Sequence, residues 1–151
     1  FPAIARLAPD YYCMDGTIPR NQLAYVLNEI SRMGQESGIR VANVFHAGDG
    51  NLHPLILFDA SDPEDIRRAE QLGRDILELS VQVGGSITGE HGVGLEKLGQ
   101  MPLQFSAQEL NQLEDVKHAF DPKLTLNPGK GIPILKRCQE YKALPPGHNH
   151  G

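Results

Sequence analysis

Val41-Ala42-Asn43-Val44-Phe45-His46-Ala47-Gly48-Asp49-Gly50-Asn51-Leu52-His53-Pro54-Leu55-Ile56-Leu57-Phe58 decides the fold. Two apolar runs flank a Gly-Asp-Gly-Asn turn, and Asp-Gly between such runs is a strong hairpin signal. With Gly48 to Asn51 as the loop, Ala47 faces Leu52 and His46 faces His53. Directly opposed residues on antiparallel strands have Cβ atoms about 4.5–5.5 Å apart on one face. Two imidazoles at that separation can grip one metal ion, since zinc–nitrogen bonds are about 2.0–2.1 Å. Two histidines do not complete a site. The stretch therefore reads either as a hairpin with two incidental histidines or as part of a metal centre whose third ligand lies elsewhere.

Helical periodicity frames this hairpin. After Pro19, Leu23, Val26, Leu27, Ile30 and Met33 recur at helical spacing as far as about Ser37, with Gly38 as the stop. Tyr11 to Pro19 reads as extended, with a bulge or turn at Asp15-Gly16. Beyond the hairpin, Ser61-Asp62-Pro63-Glu64 is a helix start. Ile66, Ala69, Leu72, Gly73, Ile76, Leu77, Ser80 and Val83 share one face of that helix, and Gly84-Gly85 end it. Ser86 to Thr88 predict a short strand, and Glu90 to Gly94 a turn opening a short helix through Leu98. Ser106 and Glu109 form a capping box for a third helix on which Leu110, Leu113, Val116 and Phe120 recur.

Strand, helix, strand, strand, helix, strand is the ferredoxin-like split βαβ order. The predicted fold is α+β: an antiparallel sheet with helices on one face, plus C-terminal helices. The histidines fall to the other face.

Composition narrows the function. A chain of 151 residues is long enough for a real core. Net charge is −5 with no basic patch, which argues against a nucleic-acid partner. No apolar run is long enough for a membrane span. Cys13 and Cys138, the two cysteines, form no CxxC site and no disulfide framework. The chain opens on Phe1 without a signal-peptide pattern, so its start is expected to lie inside a longer protein. Residues 1–136 are expected to form the domain and 137–151 a flexible tail, in which His148 and His150 are weak metal candidates at most.

The second informative stretch is Gly84-Gly85-Ser86-Ile87-Thr88-Gly89-Glu90-His91-Gly92-Val93-Gly94. Its glycines permit tight turns and close approach of backbone to a ligand. A split βαβ sheet can bring Glu90 to the hairpin as third ligand. His₂Glu with an open position is a catalytic metal set, and it leaves His91 as a base or substrate donor. Neighbours on a strand point to opposite faces, so Glu90 and His91 reach one site only if the strand has already ended. The chain contains no HExxH, P-loop, G-x-S-x-G or G-x-G-x-x-G motif. A metal-dependent hydrolase and a non-catalytic ligand-binding module are the competing readings.

Three ordered motifs carry a resemblance. His46-x-Gly-Asp-Gly-Asn-Leu-His53, Gly85-Ser-Ile-Thr-Gly-Glu90-His91-Gly-Val-Gly94 and Asp121-Pro122…Leu126-Asn127-Pro128-Gly129-Lys130 resemble the C-terminal domain of FAD-linked 2-hydroxyacid dehydrogenases. That family includes glycolate oxidases and the D-lactate and D-2-hydroxyglutarate dehydrogenases. The resemblance implies a ferredoxin-like cap domain that works with an N-terminal FAD-binding domain. It implies a divalent metal (zinc, iron or manganese) on His46, His53 and Glu90, His91 as the base that touches substrate, and Asn127 beside the flavin. It further implies a small 2-hydroxy acid as substrate. For the glycolate oxidase branch it implies a second flavin-type subunit and an iron–sulfur subunit, and a cytoplasmic protein held peripherally at the inner membrane through them. Two departures bear on substrate. Leu55 stands where the 2-hydroxyglutarate enzymes have a substrate-contacting Asn, and Cys13 or Met14 stands where they have a Lys. Both favour a monocarboxylate, glycolate or D-lactate.

Overall fold

A computed structural model describes residues 4–133 in two compact units, one ending at His91 and one starting at Gly92. The expected tail from residue 137, with Cys138, His148 and His150, lies outside the described residues.

The first unit is the split βαβ sheet. Its strands are β1 (Asp10–Cys13), β2 (Gly16–Thr17), β3 (Arg40–His46) and β4 (Asn51–Phe58), with helices α1 (Leu23–Ser37) and α2 (Pro63–Gln82). β4 is central, pairing antiparallel with β1 and β2 along one side and with β3 along the other. The strand expected at residues 86–88 is reduced to a single antiparallel bridge, Thr17 to Ser86. That bridge completes the ferredoxin-like order, with residues 86–88 at one edge and β3 at the other.

Both helices cover one face. Position 34 of α1 lies against the Val41 side chain, and position 73 of α2 lies against Tyr12 and Met14. The register places Tyr12 and Val41 opposite Ile56, so all three share that face. Val26, Ile30, Leu52, Ile56, Leu72, Ile76 and Leu77 are buried there, each burial contributing about 1.5–3 kcal/mol. α1 ends where Gly38 takes the left-handed conformation at φ 70°, as expected of a C-terminal glycine. α2 is capped by Asp62, whose side chain accepts from the Glu64 amide. Ser61 instead donates its hydroxyl to Asp59.

Two expectations about the sheet are corrected. The hairpin loop is Ala47 to Gly50, closed by the Asp49 and Gly50 amides donating to the His46 carbonyl. Asn51 therefore joins β4 and pairs with His46, and His53 pairs with Val44. His46 and His53 are diagonal neighbours rather than opposed ones. They still share a face, because a two-residue offset preserves side-chain parity. Asp15-Gly16 is not a bulge. Cys13 pairs with Leu55 and Gly16 with Leu52, so the register runs through Met14 and Asp15 with no inserted residue.

The second unit contains a 3₁₀ turn (Leu98–Gln100), α3 (Met101–Gln104) and α4 (Ala107–Phe120). The helix expected through Leu98 is replaced by turns that lead into this 3₁₀ segment. α4 carries the predicted capping box, Ser106 with Glu109. Its expected apolar stripe is only partly buried. Leu110 is buried, but Val116 is 57% and Phe120 84% exposed. Asp121 closes α4. Its carboxylate accepts from Lys117 Nζ and from the Thr125 and Leu126 amides. The Lys117 ammonium, more than any other neighbour, holds the Asp121 carboxyl well below the usual carboxylate range. Among the described residues no helix is long and apolar enough to cross a membrane.

Candidate active site

Period-two alternation assembles the site on the sheet face away from α1 and α2. Tyr12 and Met14 turn toward α2, and position 16 meets Ser80 of the same helix. Cys13, Asp15 and Thr17 consequently face the other way, with His46, Asn51, His53 and Leu55. Continuing the register sets Asp15 opposite His53.

His53 is the fixed point. It is 7% exposed, and its Nδ1 lies 3.3 Å from the Met14 carbonyl. A carbonyl only accepts, so Nδ1 carries the hydrogen and Nε2 is the nitrogen turned to the site. Pro54 explains why that carbonyl is available. The Met14 amide donates to the Pro54 carbonyl at 3.1 Å. In an antiparallel ladder the return bond would run from residue 54 to the Met14 carbonyl. Proline has no N–H to make it, and the His53 ring takes that place. Proline is unusual in a central strand; here its missing donor orients a histidine.

Glu90 Oε1 lies 2.8 Å from His53 Nε2, 3.7 Å from His46 Nε2 and 3.8 Å from His91 Nε2. The His46 and His53 rings meet edge to face at 5.3 Å between centroids, and His91 stacks on His53 at 4.9 Å. Glu90, His91 and His46 are each about half exposed. The structure thus gathers four of the five predicted site residues. The tension over Glu90 and His91 resolves as expected: the chain has left the bridge at Ser86 and is in a bend, so both side chains turn to one place. Asn127 belongs to the second unit. It adopts φ 45° in a turn closed by the Lys130 amide donating to its carbonyl at 3.2 Å.

The donor set fits a divalent cation. With Nδ1 protonated, Nε2 of a neutral His53 presents a lone pair to a carboxylate oxygen at 2.8 Å. Two acceptors at that distance repel unless a cation lies between them, either a proton or a metal ion. His46, His53 and Glu90 each place one ligand atom within 4.8 Å of the others, and Asp15, His53 and His91 form a second such group. Imidazole with carboxylate suits zinc, iron and manganese. Beside these groups opens a cleft of about 310 Å³ lined by Thr17, His46, Asp49, Asn51, Gly89 and Glu90, the scale of a small-ligand site.

Asp15 is the residue that the sequence did not reveal. Its carboxylate is fully buried and accepts from Thr88 Oγ1 at 2.7 Å and from the amides of Gly89, Glu90 and His91 at 3.0, 3.2 and 2.9 Å. Asp-Gly in sequence signals a turn. Nothing local ties it to a loop more than seventy positions later.

Fold and site together define a ferredoxin-like α+β domain with a His₂Glu cluster and a further histidine on the sheet face opposite its helices. The chain belongs to the family of FAD linked oxidases, C-terminal domain, which matches residues 1–131. It is 60% identical to the glycolate oxidase subunit GlcD of Escherichia coli K12 over 150 residues, 99% of this chain and 30% of that protein. It is 38% identical to the Bacillus subtilis glycolate oxidase subunit GlcD over 85% of this chain and 27% of that protein. The mitochondrial D-lactate dehydrogenase [cytochrome] of Arabidopsis thaliana is 33% identical over 84% of this chain and 23% of its own length. The chain thus spans under a third of these relatives. A structure of 4-ethylphenol oxidase from Gulosibacter chungangensis in complex with isoeugenol shares the fold, with TM-score 0.60 and 21% identity over 84% of this chain and 25% of that one.

Proposed function

We propose that this chain forms the substrate side of the active site of an FAD-dependent enzyme that oxidises a small 2-hydroxy monocarboxylic acid, glycolate or D-lactate, to the 2-oxo acid. The convergence of Glu90 on His53 and His46, with His91 stacked alongside, carries this reading. Family membership and the activities for which the relatives are named support it.

His46, His53 and Glu90 are the residues that would hold a divalent cation, which would supply Lewis-acid polarisation of the substrate. A flavin, held mainly by an N-terminal domain, would supply the hydride acceptor. The remaining work falls to this chain. His53, locked through Nδ1 to Met14, keeps Nε2 on the site. Glu90 fixes the relative position of the two hairpin histidines. His91 takes the proton of the 2-hydroxyl at a ring nitrogen as the C2 hydride departs. Asp49 lines the cleft and shapes the hairpin turn. Asn127 is assigned to the flavin side.

Leu55 and Cys13 form an apolar pair on the His53 face. A second carboxylate would be desolvated against Leu55 without a cation, which favours a monocarboxylate. For the glycolate oxidase branch the partners are a second flavin-type subunit and an iron–sulfur subunit, with peripheral attachment at the inner membrane through them.

The test is dye reduction by the whole flavoprotein with glycolate and D-lactate, alongside its elemental analysis. The reading expects about one divalent metal per chain, lost in both His46→Ala and Glu90→Ala together with activity. Full turnover in either variant would overturn it.

A further inference from the structure

We infer that Asp15 is the positioning residue that folds the Gly89-Glu90-His91 loop onto the histidine hairpin and so sets the aim of both Glu90 and His91. The inference builds on the reading of these residues as the active site.

The geometry resembles an anion nest, in which successive backbone amides converge on one negative group. Here the anion is the protein's own carboxylate. Oδ2 accepts from Thr88 Oγ1 and from the Gly89 and His91 amides, and Oδ1 from the Glu90 amide. Hydrogen bonds to a charged acceptor are shorter and stronger than neutral ones, and four of them on one carboxylate hold a short glycine-rich segment in one conformation. Without this anchor, three consecutive amides would lose their acceptor and Glu90 would hang from a flexible loop. The amides are spoken for while the Glu90 and His91 side chains stay half exposed, so the carboxylate fixes backbone and leaves the functional groups open to a ligand.

Asp15 also sits next to the residue that holds the other half of the site. Met14 gives its carbonyl to His53, and Asp15 gives its carboxylate to the loop. The Met14-Asp15 dipeptide between β1 and β2 thus sets the orientation of His53 and of the Glu90-His91 pair, from adjacent backbone positions that face opposite sides of the sheet. Gly89 lets the loop come close: a Cβ there would lie 2.4 Å from Asn51 Oδ1 and 2.5 Å from Thr17 Oγ1. A loop seated that tightly transmits the position of its anchor directly to Glu90.

The test compares the whole flavoprotein as wild type, Asp15→Ala and Asp15→Asn. Zinc affinity is measured by chelator competition, and amide exchange is followed over the peptide containing residues 89–91. The expected result for Asp15→Ala is a loss of about 10–100-fold in zinc affinity and faster exchange at residues 89–91, with exchange in the β3–β4 hairpin unchanged. Asp15→Asn, which keeps one acceptor oxygen, should fall between. A folded Asp15→Ala protein with wild-type zinc affinity and unchanged exchange at residues 89–91 would overturn the inference. So would faster exchange spread equally through the hairpin, the sign of general destabilisation. If Asp15→Ala does not fold, Asp15→Asn carries the same comparison. A wild type that takes up no zinc counts against the metal reading, and exchange at residues 89–91 then decides the role of Asp15 by itself.

Discussion

Glu90 Oε1 lies 2.8 Å from His53 Nε2 while the other nitrogen of that ring is committed to the Met14 carbonyl. The pair joins a bend at residue 90 to the centre of the sheet. It leaves His91 outside the His46–His53–Glu90 set, stacked on His53 rather than sharing its ligand position.

Replacing His91 by Ala separates binding from proton transfer. In the whole enzyme the expected outcome is a fall in kcat of about 10²–10⁴-fold, the range for a lost general base, with metal content unchanged. Steady-state kinetics with elemental analysis of the same preparation checks both. Turnover within about threefold of wild type would remove His91 from the proposed chemistry.

Pro54→Ala restores an amide where the ladder lacks one. That N–H can bond the Met14 carbonyl and compete with His53 Nδ1 for it. Zinc affinity is expected to fall about tenfold, as for other lost orienting partners of a ligand histidine, while melting temperature changes little because a ladder bond is gained. Chelator competition and a thermal melt on the same protein test the pair of outcomes.

Gly89→Ala pushes a methyl group into Asn51 and Thr17. Both side chains are short, and Asn51 is buried, so the loop must move. The expected cost is about 1–3 kcal/mol from overpacking, read in denaturant unfolding. A matching loss of kcat/KM of at least about tenfold would show that Glu90 has moved with the loop.

Acid should loosen the second unit through Asp121. Its folded-state pKa is depressed, chiefly by Lys117. The stability it contributes is therefore fully present above the unfolded carboxylate value of about 3.9 and is lost as pH falls from there toward the folded value. Helical circular dichroism is expected to begin its acid decline below about pH 4. Asp121→Asn should lower the neutral-pH melting temperature and remove this contribution to the acid transition. An unchanged acid profile in the variant would assign the transition to other groups.

Local sequence chemistry determined much of this protein. The apolar spacing from Leu23 to Met33 and from Ile66 to Ser80 laid out α1 and α2, Ser106 and Glu109 set the start of α4, and Gly38 ended α1, because caps and periodicities act within a few residues. The paired histidines of the hairpin fell on one face in the expected register and in the observed one, since the two differ by two residues and side-chain parity has period two. Tertiary structure alone decided the rest. The loop formed one residue earlier than expected, at Ala47 to Gly50, which brought Asn51 into β4 and made His46 and His53 diagonal. Pro54 freed the Met14 carbonyl only because β1 docks beside it. Asp15, which reads as half of a turn, became the acceptor for amides beyond residue 88 because strand pairing and the Thr17–Ser86 bridge bring the two segments together. A buried carboxylate takes whatever donors the fold delivers to it, and no spacing in the chain records which those will be.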